Sequence, residues 1–260
     1  MVKIRNFTIG NDEPLLFFSG PCVIENEEHA LMMAEALCKL FDGKPFVYKS
    51  SFDKANRSSI DSYRGPGLKE GLRILAKVKE TFNVPIVTDI HLPEQAEPAA
   101  EVCDVLQIPA FLCRQTDLLV AAAKTGRVIK VKKGQFMLPW DMTNVVEKIV
   151  ESGNDQIVLT ERGTSFGYNN LVCDMRSIPI MKGLGYPVCF DASHAVQLPG
   201  GMGKVSGGQR EYIPVLAKAA VAAGAKALFI ESHNSPKEAK SDAGSVMDLK
   251  ELERLMKELC

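Results

Sequence analysis

The apolar run "LLFFSGPCVIE", residues 15–25, breaks at Gly-Pro, and the next residue is Cys22. A thiol placed where a strand runs out is a soft metal donor and a nucleophile as well as a small apolar side chain. His194, Glu231 and Asp242 fall at or just past the ends of later apolar runs. A thiolate, an imidazole and two carboxylates form a donor set for a divalent first-row ion, with Zn, Fe and Mn all acceptable and one position left for water or substrate. No CxxC or HExxH spacing ties the four together, so the fold must. Each also has a plainer reading. Cys22 could be a buried hydrophobe, as Cys38, Cys103 and Cys189 are read; His194 a loop histidine; Glu231 a strand-end cap; Asp242 a solvated acid.

Cations follow the same kind of run: Lys49, Lys54, Arg57, Arg64, Arg114, Lys132, Lys133 and Arg162. Like charges gathered at one mouth repel unless anions sit among them, and a mixture of Arg forks and Lys point charges suits two phosphate-sized anions. Lys49 and Lys132 lie inside apolar patterns, where an ammonium needs a partner. Arg64, Lys133 and Lys69 read instead as exposed loop charges. The glycine-rich segments "RGPGL", from Arg64, and "QLPGGMGKVSGGQR", from Gln197, lack the GxGxxG spacing of a dinucleotide fold and fit lid loops or tight turns. No Ser-His-Asp elbow or kinase signature is present.

The elements that must position these residues alternate along the chain. Short β-branched or aromatic runs start at Leu15, Phe46, Pro85, Asp104, Val128, Gln156, Pro187 and Ala227, and amphipathic segments of helical period fill the gaps. Glycines at 126, 153 and 224 stand where helix C-caps belong. This order predicts a single (β/α)8 TIM barrel, an α/β fold, over residues 1–260, with no linker or second composition regime. Such a barrel gathers its active site at the carboxyl ends of the strands. Those ends carry Cys22, Lys49 with Lys54 and Arg57, Asp89, Gln107 followed by Arg114, Lys132, Arg162, Asp191 with His194, and Glu231 followed by Asp242. The opening "VKIRNFTIGNDEP" predicts a small β-hairpin with its turn at Gly10-Asn11, plugging the opposite mouth.

Lys+Arg 31 against Asp+Glu 32 leaves a formal charge of -1, so no global field favours nucleic acid or an anionic membrane surface. Seven cysteines without paired spacing point to a reducing compartment. The start carries no apolar core of signal-peptide length, and no run approaches the roughly 20 apolar residues of a bilayer span. Together these predict a cytoplasmic protein with neither membrane nor nucleic-acid partners.

"KSSFDKANRSS", "SYRGPGL", "LQIPAFLCRQTDLL", "VKKGQF", "LTERGTSFGYNNLV" and "DASHAVQLPGG" resemble 3-deoxy-D-manno-octulosonate 8-phosphate synthases over almost the whole chain. The resemblance implies condensation of phosphoenolpyruvate with D-arabinose 5-phosphate for lipopolysaccharide synthesis, in a barrel enzyme that is usually a homotetramer. It implies that Lys49, Lys54, Ser51, Gln107, Lys132 and Arg162 form the phosphoenolpyruvate pocket. Asn56, Arg57 and Ser58 would contact the pentose phosphate, with Arg114 serving that phosphate, if need be across a subunit boundary. Asp89, Asp191 and His194, with Lys49 and Lys54, would stand at the reaction centre. "SGPCVIE" and "QLPGGMGK" resemble the metal-dependent branch, whose metal-independent counterpart has Asn at the Cys22 position. Two alternatives stand beside this reading. The sister heptulosonate synthases take a four-carbon aldose phosphate and have a "KPR" segment where this chain has "KANRSS". A non-catalytic sugar-phosphate sensor would be free to lose ligands that are all present here.

Overall fold

Parallel strands buried on both faces need continuous apolar runs, and eight such runs close the barrel. In the computed structural model, which describes residues 1–200 and 207–260, the chain opens with strands β1 (Val2–Ile4) and β2 (Phe7–Ile9). The barrel strands β3 (Leu16–Gly20), β4 (Phe46–Lys49), β5 (Ile86–Asp89), β6 (Val105–Ile108), β7 (Val128–Lys132) and β8 (Ile157–Glu161) follow. A small hairpin, β9 (Thr164–Ser165) with β10 (Leu171–Val172), precedes the seventh barrel strand, β11 (Val188–Asp191). Two-residue strands β12 (Gln197–Leu198) and β13 (Gly207–Gly208) pair before the eighth, β14 (Ala227–His233). The order β3 to β8, β11, β14 closes through parallel pairing of β14 with β3. Part of the predicted loop "QLPGGMGK" falls on residues 201–206, outside the described residues.

The helices between strands include α1 (Glu27–Leu40), α2 (Leu68–Phe82), α3 (Ala96–Val102), α4 (Thr116–Lys124), α5 (Met142–Glu151) and α6 (Ser177–Lys182). The short α7 (Ala192–Ala195), then α8 (Ile213–Ala222) and the C-terminal α9 (Leu249–Leu259), complete them. Gly126, Gly153 and Gly224 adopt φ of 69°, 90° and 102°, the left-handed conformation of a helix C-cap. "RGPGL" is a tight turn: Lys54 N donates to Arg64 O at 2.7 Å and Gly67 N to Phe52 O at 3.0 Å.

Side chains alternate along each strand, so the barrel builds two cores. Ile129 and Val131 join the layer under the helices, while Val128 faces inward with Leu16, Phe18, Val47, Val87, Val105, Val158, Cys189, Ala227 and Phe229. Val2, Ile4 and Ile9 of the hairpin complete this inner core against the amino ends of the strands, so the plug is where the sequence suggests. Its turn is not. The strands pair Val2 with Ile9 and Ile4 with Phe7, which puts the turn at Arg5-Asn6, with Arg5 at φ 53°. The spacing of the three inward side chains fixes that register, and Gly10 lies past it. Each buried apolar side chain contributes about 1.5–3 kcal/mol, which lets the opposite rim carry polar groups.

Candidate active site

At the carboxyl rim, Gly20 lets β3 and β4 approach. Its φ is 152°, and a Cβ there would lie 2.1 Å from Lys49 O, so no side chain fits. Gly20 pairs with Glu231, and Pro21 ends the strand, which leaves Cys22 over the mouth. The Cys22 thiol donates to Ser241 Oγ at 3.1 Å and Asp242 Oδ2 at 3.4 Å. Donor atoms of Cys22, Glu231 and Asp242 all lie within 4.8 Å of one another. His194 Nε2 stands 3.6 Å from Asp242 Oδ2 and 4.0 Å from Glu231 Oε1.

The surroundings of this group test whether a cation fits it. Asp191 caps α7, accepting from His194 N at 2.9 Å, and the same Oδ1 lies 3.0 Å from His194 Nδ1. A carboxylate at Nδ1 holds the proton there and turns the Nε2 lone pair toward Glu231 and Asp242. Among the described residues, Glu231 Oε2 is buried without a hydrogen-bond partner. Burial, then Asp242 and Glu231, push the Cys22 thiol far up, so a bound metal would have to displace its proton. Asp242 sits at φ 53°, a left-handed conformation that Asp tolerates better than most residues. A soft thiolate, an imidazole with the correct tautomer and an orphaned carboxylate oxygen fit a divalent ion.

Beside this group lies a cavity of about 430 Å³ lined by Lys49, Lys54, Asn56, Arg57, Ser58, Asp89, Gln107, Lys132, Arg162, His194 and Asp242, among others. Lys49 donates to Glu231 Oε1 at 2.6 Å and to Cys22 O at 2.8 Å; Lys132 pairs with Asp191 Oδ2 at 2.7 Å. Burial raises the Glu231 carboxyl, but Lys49, His194 and Lys54 outweigh it and hold the group ionised. Asp89 is likewise kept well below the usual range: burial opposes, and Lys54, a hydrogen bond from His91, and Lys49 prevail. Ser51 donates to Asp89 Oδ1. Arg57 donates to Ser241 Oγ at 2.6 Å.

Arg162 differs from the lysines. It is 4% exposed, its Nη2 reaches only Gln197 Oε1 at 3.3 Å, and its Nε and Nη1 have no partner among the described residues. A guanidinium in that position is built to receive a planar or tetrahedral anion.

Some residues fall elsewhere. Arg114 does not line the cavity of its own chain. Arg64 is exposed and paired with Asp53, as expected of a loop charge. Lys133 corrects the sequence reading: it is 1% exposed, 3.6 Å from Glu161 Oε1, and it donates to Thr164 Oγ1 at 3.2 Å. It lies immediately past the paired Lys132, where the chain dives under the β9–β10 hairpin. Sequence reasoning missed His91, Lys240 and Ser241, which line the cavity, and Lys130 beneath it. His91 was readable two residues past Asp89, in "DIHLP". A second cluster, Glu25, His29 and His233, also escaped it. There Ser235 N donates to His233 Nδ1 at 2.9 Å, so Nε2 carries the proton and donates to Glu25 Oε1 at 3.2 Å, which also accepts from Lys240 N. That cluster ties down the segment bearing Asp242.

Comparison with known proteins agrees with this architecture. A 2-dehydro-3-deoxyphosphooctonate aldolase of Protochlamydia amoebophila is 60% identical over 98% of this chain and 94% of its own length. Proteins of the same name from Geotalea daltonii and Geobacter metallireducens are 58% and 59% identical over 99% of this chain and 96% of theirs. The family model described as DAHP synthetase I family matches residues 1–259, and the chain belongs to that family.

Proposed function

We propose that the chain joins phosphoenolpyruvate to D-arabinose 5-phosphate, giving 3-deoxy-D-manno-octulosonate 8-phosphate and inorganic phosphate. The observation that carries this reading is the buried guanidinium of Arg162, whose Nε and Nη1 have no partner among the described residues, in a cavity that also presents Asn56, Arg57 and Ser58. Relatives at 55–60% identity bear the octonate name, and the "KANRSS" segment favours it over the four-carbon aldose of the sister reaction.

The charges fit two anions. Among the described residues, Lys49, Lys54, Arg57, Lys132, Arg162 and Lys240 line the cavity with Asp89 and Asp242, while Glu231 and Asp191 pair with Lys49 and Lys132, so cations outnumber the carboxylates. Lys132, Arg162 and Gln107 hold the phosphoenolpyruvate phosphate and carboxylate, and Arg57 holds the pentose phosphate while Asn56 and Ser58 satisfy sugar oxygens. In the reaction, carbon three of phosphoenolpyruvate bonds to the aldehyde carbon. Water adds at carbon two and the proton it gives up goes to the aldehyde oxygen; the bond between carbon two and the phosphate oxygen then breaks as the added hydroxyl becomes the ketone, its proton leaving with the phosphate. Lys54 is kept charged against burial by the carboxylates of Asp89, Glu231 and Asp242, and it stabilises the oxygen on which charge develops. Most of the acceleration comes from positioning and charge neutralisation.

Cys22, His194, Glu231 and Asp242 are proposed to hold one divalent ion, Zn, Fe or Mn. When bound it supplies Lewis-acid polarisation and a fixed point of orientation for the reacting oxygens. We further propose a cytoplasmic homotetramer in which Arg114 reaches the pentose phosphate of a neighbouring copy. The test is phosphate release from phosphoenolpyruvate with each aldose phosphate in turn. Release with arabinose 5-phosphate is expected, and release with erythrose 4-phosphate alone would make this the sister enzyme.

A further inference from the structure

Lys130 is a charge with no place in the reaction as described. It projects into the barrel from the middle of β7, is 0% exposed, and forms no ion pair among the described residues. Its Nζ donates to Gln107 Oε1 at 3.0 Å and lies 4.6 Å from the Phe229 ring centroid and 5.3 Å from that of Phe18. Lys132 and Lys49 approach the same Phe229 ring, at 4.1 Å and 5.4 Å. One aromatic ring therefore has three ammonium groups against it. Lys49 and Lys132 have carboxylate partners; Lys130 has an amide and two rings. An unpaired ammonium in an apolar core is expensive unless something above it uses the charge.

Gln107 is what lies above. It lines the cavity from the end of β6. An ammonium offers only donors, so the Gln107 oxygen must face Lys130, and the amide N–H groups are left for the cavity. Without Lys130, the amide would be free to flip and offer its oxygen to an incoming anion.

We propose that Lys130 is a positioning residue for the anionic substrate, fixing Gln107 as a donor and placing a positive charge beneath the phosphoenolpyruvate site. This rests on the phosphoenolpyruvate reading of the cavity. The groups facing Lys130 are Gln107 on the adjacent β6, Cys189 and Asp191 on β11, Lys132 on its own strand, Lys49 on β4, and the rings of Phe18 and Phe229. Burial lowers the Lys130 ammonium to about 8, with Cys189 and Asp191 raising it and Lys132 and Lys49 lowering it further. An anion arriving above would raise it again, so binding near that pH should draw in a proton.

The test compares the holoenzyme with Lys130→Met, which keeps the length of the stem and removes the charge. The Michaelis constant for phosphoenolpyruvate should rise about ten- to hundredfold, with that for the aldose phosphate nearly unchanged. Calorimetry of phosphoenolpyruvate binding near pH 8, in buffers of different ionisation enthalpy, should show proton uptake in the wild type that is absent in the variant. If Lys130→Met is not recovered folded, Lys130→Gln serves the same comparison, since it keeps a polar group in the barrel without charge. An unchanged Michaelis constant and unchanged proton uptake in an active background would overturn the proposal. A wild type that releases no phosphate from phosphoenolpyruvate would instead overturn the function on which it rests.

Discussion

At the scale of single residues, the site is a set of polar groups whose partners tell them apart. Lys49 and Lys132 sit in ion pairs, Arg162 has only an amide, and Cys22 is a neutral thiol among acids. On the proposed metal reading, Cys22→Asn replaces the softest donor with a poor one. Elemental analysis of folded protein should then find metal lost, with some activity retained if the amide holds a water in its place; full occupancy would remove the thiol from the ligand set. Arg57→Ala should raise the Michaelis constant for arabinose 5-phosphate far more than that for phosphoenolpyruvate, and equal rises would count against its assignment. The residues at strand ends were legible because barrel geometry sends them to one rim. Ser241 and Lys240 were not, because they belong to the long excursion after β14, where no period fixes direction.

At the scale of elements, eight apolar runs were enough to read the barrel, and helix boundaries followed from their C-terminal glycines. The hairpin turn was misplaced because a Gly-Asn pair is a stronger local signal than Arg-Asn, while the inward side chains of the hairpin decide the register. In "VIKVK", a period of two puts Lys130 on the same face as Lys132, so the argument that an ammonium in an apolar strand needs a partner applied to both. The burial of Lys130 has a consequence for stability. Its pKa falls from 10.5 to about 8 in the folded state, so the penalty is full below 8 and disappears as pH rises toward 10.5. At pH 7 that is about 3 kcal/mol, taken from the shift at about 1.4 kcal/mol per unit. Denaturant titrations should find Lys130→Met more stable than wild type at pH 7, with the gap closing between pH 8 and 10.5. A gap independent of pH would mean the ammonium is not desolvated as described.

At the scale of the molecule, the carboxyl rim carries more apolar surface than a solvated mouth needs. Phe136, Leu138 and Trp140 after β7, and Phe166 and Tyr168 in the β9–β10 hairpin, are all more than half exposed. We propose that copies of the chain meet there, which is also how Arg114, absent from its own cavity, could reach another. Light scattering should give the mass of four chains of 28.5 kDa, and Trp140→Glu should lower it; a wild-type monomer would refute the assembly. No helix among the described residues is long and apolar enough to cross a membrane. The charge on the whole chain said little about function, because the excess of cations is confined to one cavity and balanced elsewhere on the surface. On the proposed function, this cavity holds phosphoenolpyruvate beside a five-carbon aldose phosphate. Mass spectrometry of the products formed when equal amounts of arabinose 5-phosphate and erythrose 4-phosphate compete for phosphoenolpyruvate tests it most directly. The eight-carbon keto acid phosphate is expected as the dominant product; a predominant seven-carbon product, or none at all on metal-loaded enzyme, would exclude this pairing of substrates.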